Sequence, residues 1–86
     1  MNLQEAYALA KNYIANNLRP PDGDKYEIVD SGIRETDAGW YFPWQTARYI
    51  ETRNIEYSIV GNWPIFVTKD GDCRGPCRPV PTETLI

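Results

Sequence analysis

The sequence contains no histidine. Histidine is the commonest general base and metal ligand in proteins, so Ser–His–Asp and Cys–His catalytic arrangements are excluded. The glycine-rich motifs that bind phosphate or dinucleotides are also missing. We therefore expect a protein that binds rather than an enzyme, with no cofactor and no metal site.

Long apolar runs are missing as well. No stretch approaches the roughly 18 apolar residues that a membrane-spanning helix needs, and the first fifteen residues lack the basic and apolar regions of a signal peptide. These absences favour a cytoplasmic protein without membrane contact. With 86 residues, the chain is expected to form a single domain over residues 1–86.

Cysteine is scarce, with only Cys73 and Cys77 in the chain. Two thiols without histidine do not complete a tetrahedral zinc site. The pair is compatible with two free thiols in a reducing compartment. A local disulfide is the alternative, because Gly75 and Pro76 could turn the chain back; it would close a short loop and contribute little stability.

Negative charge is concentrated in one part of the chain. The formal net charge is −3, and residues 22–37, the acidic segment, carry −4 of it against +1 for the remainder. This segment is either a solvated edge strand with its loops or a negative surface for a basic partner. Clustered Lys and Arg are lacking, so nucleic-acid binding is not expected. Its carboxylates are Asp22, Asp24, Glu27, Asp30, Glu35 and Asp37.

One helix is predicted over residues 3–18. Asn2 is a suitable N-cap with Glu5 three residues later, and Pro20 and Pro21 forbid continuation. The apolar stripe at helical period consists of Leu3, Tyr7, Ala10, Ile14 and Leu18.

Two strands are predicted next, over Tyr26–Glu35 with a bend at Gly32 and over Trp40–Gln45. Residues 36–39 form the turn between them. In the second strand Trp40, Phe42 and Trp44 share one face and Tyr41 points to the other. Pro43 cannot donate a ladder hydrogen bond, which favours an edge position or a bulge there.

The second half of the chain contributes a central strand. Thr46–Asn54 is compatible with one helical turn or an irregular loop. Pro64–Thr68 is apolar on both faces, as expected at the centre of a sheet, and Asp70-Gly71 predicts a hairpin. A short strand returns near Asp72–Arg74, and Thr82–Ile86 could begin a last helix. The predicted fold is α+β: an N-terminal helix packed on a three- to four-stranded antiparallel meander.

A family resemblance rests on three stretches in order: residues 39–42 (GWYF), 47–52 (ARYIET) and 61–71 (GNWPIFVTKDG). Together with the Ala- and Tyr-containing N-terminal helix, they resemble the immunity protein 35 family over roughly residues 3–75. The most specific part is the Gly-Asn-x-Pro strand followed by Lys-Asp-Gly. Small YrhB-like proteins, described as heat-stable chaperones, share this pattern.

The resemblance implies a small cytosolic α+β protein, often encoded beside a polymorphic toxin, that binds and neutralises that toxin. The alternative is a small chaperone-like protein that binds unfolded clients, for which an accessible apolar patch would be needed. A tight toxin interface needs a central cluster of aromatic or Arg anchors with a polar rim. Against a basic toxin, acidic residues would also speed the encounter. Trp63 is a candidate anchor, although core packing beside Pro64 would also explain it. The candidate partner-binding residues are Asp22, Asp24, Glu27, Asp30, Glu35, Asp37, Tyr41 and Trp63.

Overall fold

The helices and strands follow the predicted order along the chain. The computed structural model describes residues 1–20, 23–54, 56 and 62–78. The expected helix at Thr82–Ile86 and candidate residue Asp22 lie outside the described residues. The elements are α1 (Leu3–Asn17), β1 (Tyr26–Ile28), a 3₁₀ turn (Asp30–Gly32), β2 (Arg34–Glu35), β3 (Gly39–Phe42), β4 (Trp44–Thr46), α2 (Ala47–Thr52), β5 (Ile65–Thr68) and β6 (Cys73–Pro76).

Helix α1 begins with the predicted capping box. The Asn2 side chain accepts a hydrogen bond from the Glu5 backbone at 2.9 Å, and the Glu5 carboxylate accepts one from the Asn2 backbone at 3.0 Å. Two N–H groups of the first turn, which have no partner inside the helix, are thereby satisfied. Ala6, Ala10 and Ile14 are buried. Leu3 is 47% exposed, so the predicted stripe does not extend to the first turn.

The two predicted long strands form a hairpin that bends in the middle. The break in the first falls at the 3₁₀ turn and the break in the second at Pro43. The Pro43 carbonyl accepts from the Val29 backbone at 2.8 Å, but Pro43 has no N–H to return. The hairpin therefore divides between two sheets: β1 pairs with β4, and β2 pairs with β3.

The larger sheet has four antiparallel strands in the order β2-β3-β5-β6. Strand β5 lies at its centre, as predicted. The β5–β6 turn contains Gly71 in a left-handed conformation, with φ of 93°, and the Gly71 backbone donates to the Thr68 carbonyl at 3.0 Å. Strand β6 runs to Pro76, two residues beyond the predicted Arg74.

Helix α1 packs on this sheet and forms one core with it. The predicted apolar face is confirmed: Trp40, Phe42 and Trp44 are all buried in the cluster with Ile65 and Val67. The segment after β4, whose sequence is compatible with a helical turn or a loop, is the helix α2. Its N-cap is the buried Thr46, whose hydroxyl accepts from the Tyr49 backbone at 3.1 Å. None of the described helices is long and apolar enough to cross a membrane.

Candidate functional site

The backbone before β5 is fixed to a buried tryptophan. The Trp44 indole N–H donates to the Trp63 carbonyl at 2.9 Å. The Asn62 side chain in turn donates to the Trp44 carbonyl at 2.7 Å. Because Trp44 is only 7% exposed, both bonds tie this segment to the core. The Asn of the Gly-Asn-x-Pro motif thus has a structural role.

The side chain of Trp63 remains at the surface. It is 50% exposed, and it is one of three large hydrophobic side chains that are exposed among the described residues. Core packing beside Pro64 therefore does not account for this tryptophan. A large ring on a rigidly held backbone is a suitable contact residue, since it loses little freedom on binding.

Tyr41 differs from the sequence expectation. Strand alternation places its side chain on the face opposite Trp40 and Phe42, as predicted. The ring is nevertheless only 6% exposed, because Phe66 packs against it with ring centroids 4.7 Å apart and the Arg34 guanidinium lies over it, 5.7 Å from its centroid. The Tyr41 side chain therefore points away from the core face of β3 but is covered by its neighbours.

Tyr41 and the segment of Trp63 meet at one surface. A shallow depression of about 130 Å³ is lined by Tyr41, Pro43 and Pro64, together with Gly32 and Arg34. Trp63 directly precedes Pro64.

The described acidic candidates contact different elements of the fold. Asp24 lies beside the start of α2: its carboxylate accepts from the Lys25 backbone at 2.8 Å and from the Arg48 backbone at 3.3 Å. Glu27 forms an ion pair with Lys25 at 3.2 Å. Asp24 thus has a structural function in addition to the charge that suggested it.

Asp30 is connected to the helix. Its carboxylate accepts a hydrogen bond from the Tyr7 hydroxyl at 3.0 Å. The pKa of Tyr7 is raised, first by burial, then by the hydrogen bond to Asp30, and further by the negative charges of Asp30 and Glu27. This contact joins α1 to the 3₁₀ turn.

Glu35 is the last residue of β2, and Asp37 lies in the turn between β2 and β3. We call this part of the larger sheet its β2–β3 end. Glu35 forms an ion pair with Lys69, whose ammonium group lies 4.4 Å from the centroid of the Trp40 ring. Asp37 is exposed and has no hydrogen bond or ion pair with the described part of the chain. Of the described acidic candidates, it is the one whose charge is most available to a partner.

A larger groove lies between α1 and β1, and sequence reasoning missed it. Its volume is about 550 Å³, within the range of roughly 300–1,000 Å³ typical of ligand sites. Its lining includes Ile14 of α1 and Leu18, the residue that caps the end of α1. Charges of both signs also line it: Lys11, Lys25, Glu27 and Asp30. Helical periodicity marks Ile14 and Leu18 as apolar, but it does not distinguish a core contact from the wall of a groove.

The other chemistry of the described residues is limited. Both Cys73 and Cys77 are free thiols, which corresponds to the first of the two alternatives stated above. No group of three or more carboxylate or thiol side chains within residues 1–20, 23–54 and 62–78 is arranged to hold a metal ion.

Comparison with protein families gives a match over almost the whole chain. Residues 4–84 match the family model described as Immunity protein 35. The chain belongs to the immunity protein 35 family, as the resemblance indicated. Comparisons with curated proteins and with solved structures gave no significant match.

Proposed function

We propose that this protein is an immunity protein that binds a cognate bacterial toxin directly and neutralises it, with Trp63 as a contact residue. Family membership over residues 4–84 supports the class of function. The observation that carries the site is the half-exposed Trp63 ring on a backbone fixed by Trp44. Interfaces depend on a few such anchors, and tryptophan is enriched among them.

The test is the Trp63→Ala variant, measured against the toxin domain encoded beside the gene. Loss of a central anchor costs about 2 kcal/mol or more, which is roughly a thirtyfold weaker Kd in titration calorimetry. Leu3→Ala is the matched control, because Leu3 is equally exposed at 47% but lies at the start of α1. Both variants should keep their stability in urea. Equal toxin affinity of the two variants would remove Trp63 from the interface.

The chaperone-like alternative has less support. It requires a contiguous apolar patch of more than a few hundred Å². The described large hydrophobic side chains that are exposed are Met1, Leu3 and Trp63. The Met1 side chain lies beside Gly71, after β5, whereas Trp63 precedes β5, so they lie at opposite ends of that strand. A chaperone would suppress aggregation of several unrelated clients, whereas we expect the immunity protein to suppress none.

A further inference from the structure

Strand β1 is paired along one edge with β4, and no described residue pairs with its other edge, which we call the unpaired edge. Val29 donates to the Pro43 carbonyl at 2.8 Å, and the Lys25 carbonyl accepts from Ala47 at 2.7 Å. These two bonds set the alternation of the antiparallel pair: the backbone groups of Glu27 face β4, where Glu27 is opposite Gln45. The N–H and C=O groups of Tyr26 and Ile28 therefore point away from β4.

The opposite strand confirms this alternation. Trp44 is the partner of Ile28 in the register, so its carbonyl should also point away from the pair. It accepts from the Asn62 side chain, which is not part of this sheet. On β4 this outward carbonyl has a partner, whereas Tyr26 and Ile28 have no backbone hydrogen bond to any described residue.

The unpaired edge of β1 adjoins the groove of about 550 Å³. Tyr26, Glu27 and Ile28 all line this groove, together with residues of α1, and none of the described β4 residues does. The groove therefore lies on the side of β1 away from β4. Ile14 and Leu18 give it an apolar wall. Beside this wall are two backbone donors and two backbone acceptors that have no hydrogen-bond partner among the described residues.

We propose that an extended segment of the toxin binds in this groove as a strand added to the edge of β1. This inference rests on the proposed function. A strand supplies N–H and C=O groups at the alternating spacing that Tyr26 and Ile28 present, and its alternate side chains can pack on Ile14 and Leu18. The backbone hydrogen bonds between β1 and the toxin strand would provide affinity, and the groove would select which toxin side chains fit.

A second copy of this chain fits the edge poorly. Only one antiparallel register hydrogen-bonds both Tyr26 and Ile28 to the same two residues of the other copy, with Tyr26 opposite Ile28 and Ile28 opposite Tyr26. That register places Glu27 directly opposite the Glu27 of the other copy. The two carboxylates would form a non-hydrogen-bonded pair, where side chains are closest and like charges destabilise. A toxin strand need not place a carboxylate opposite Glu27. Its charges can match the mixed lining of the groove, where Lys11 and Lys25 lie with Glu27 and Asp30 and where Lys25 forms an ion pair with Glu27 at 3.2 Å.

The first test is amide hydrogen exchange of the free protein by NMR. The Tyr26 and Ile28 amides should exchange at least about tenfold faster than the Glu27 amide, which is bonded to β4. In the complex with an inactive toxin domain, both should slow by about a hundredfold or more. Slow exchange of Tyr26 and Ile28 in the free monomer would show that this chain covers its own edge, and slow exchange of the same two amides in a sample that sediments as a dimer would show a second copy there. Either result overturns the proposal.

The second test is Tyr26→Pro compared with Tyr26→Ala. Both variants remove the ring, which packs at 4.7 Å from the Trp44 ring, but only proline removes the N–H that faces the groove, and it leaves the β4 ladder intact. We expect the proline variant to bind the toxin domain at least about tenfold more weakly than the alanine variant.

These experiments separate the two proposals. If the wild-type protein binds the toxin domain while Tyr26 and Ile28 still exchange rapidly, the strand addition is wrong and the proposed function stands. If the wild-type protein does not bind the toxin domain, the proposed function fails and the partner named for the groove fails with it.

Discussion

At the scale of single residues, Asn62 is the side chain that holds the Trp63 segment in place. It donates to the Trp44 carbonyl at 2.7 Å in a partly buried setting. Asn62→Ala leaves that carbonyl without its partner, so we expect a loss of about 1–3 kcal/mol in the free energy of unfolding, measured with urea. The toxin affinity should fall as well, because the position of Trp63 depends on this bond.

Asn17→Ala is the matched control for Asn62→Ala. The Asn17 side chain also donates to a backbone carbonyl, that of Tyr13, at 3.0 Å, but the bond is exposed at the end of α1. Water replaces such a bond at little cost, and alanine is a better helix former. A stability loss of equal size in both variants would contradict the role given to Asn62.

Tyr7 offers a residue-scale prediction on pH. The folded protein holds the Tyr7 proton more tightly than the unfolded chain, because burial and the Asp30 carboxylate raise its pKa. The stability from this contact is complete below about pH 10, where unfolded tyrosine ionises, and is lost as pH rises above that value toward the folded pKa.

The comparison for Tyr7 is with Tyr7→Phe, which lacks the ionisable group. The hydrogen bond should make the wild-type protein more stable by about 0.5–1.5 kcal/mol at neutral pH, and urea titrations should show this advantage narrowing above about pH 10. In the Asp30→Asn background, the stability difference between Tyr7 and Tyr7→Phe should narrow at lower pH, because the negative charge that raises the Tyr7 pKa is gone. An advantage that stays constant up to about pH 11 would show that the pKa of Tyr7 is not raised in the folded protein.

At the scale of elements, Gly75 couples β6 to α1. Its φ of 72° is left-handed, and a Cβ there would lie 2.6 Å from the Tyr13 hydroxyl oxygen. Gly75→Ala therefore combines backbone strain of about 1–2 kcal/mol with a close contact to the end of the Tyr13 side chain, which has to shift. We expect a loss of about 2–3 kcal/mol in the free energy of unfolding, more than strain alone would cause.

Gly23→Ala separates the two contributions. Gly23 has a similar φ of 78°, but its Cβ would meet only the end of the Arg48 side chain, at 3.6 Å. This variant should lose about 1–2 kcal/mol, the cost of strain alone. If urea denaturation gave both alanine variants the same loss, the close approach of Tyr13 to β6 would not limit the packing of α1.

The elements were largely predictable because their signals are local. The Asn2–Glu5 capping box, the apolar alternation from Trp40 to Trp44 and the Asp70-Gly71 turn each act within a few residues. The division of the hairpin between two sheets was not predicted. It depends on Pro43 and the 3₁₀ turn acting together across two strands, and the sequence of either strand alone does not contain that information.

At the scale of the whole molecule, the candidate site was less predictable than the fold. Strand alternation gave the direction of Tyr41, but its burial depends on Arg34 and Phe66, which come from two other strands. The exposure of Trp63 likewise depends on the distant Trp44. Exposure is a property of the tertiary structure, so periodicity does not supply it.

The acidic segment also has to be judged on the whole molecule, because its charges are distributed over several elements. Asp24 accepts backbone hydrogen bonds at α2, so its reversal would change structure and charge together. Asp37 is exposed and has no described partner. Asp37→Lys therefore isolates the proposed steering of a basic toxin, and it should leave the free energy of unfolding unchanged within about 0.5 kcal/mol.

We expect Asp37→Lys to slow association with a basic toxin domain severalfold at low salt, measured by stopped flow, and the difference from wild type to shrink as ionic strength rises to about 0.5 M. Glu51→Lys is the matched control, because it makes the same charge change at an exposed position in α2, outside the acidic segment. Long-range attraction by net charge would slow both variants alike, whereas steering by the β2–β3 end of the sheet would slow Asp37→Lys more. Association rates that respond to neither the substitution nor the salt would exclude electrostatic steering by this residue.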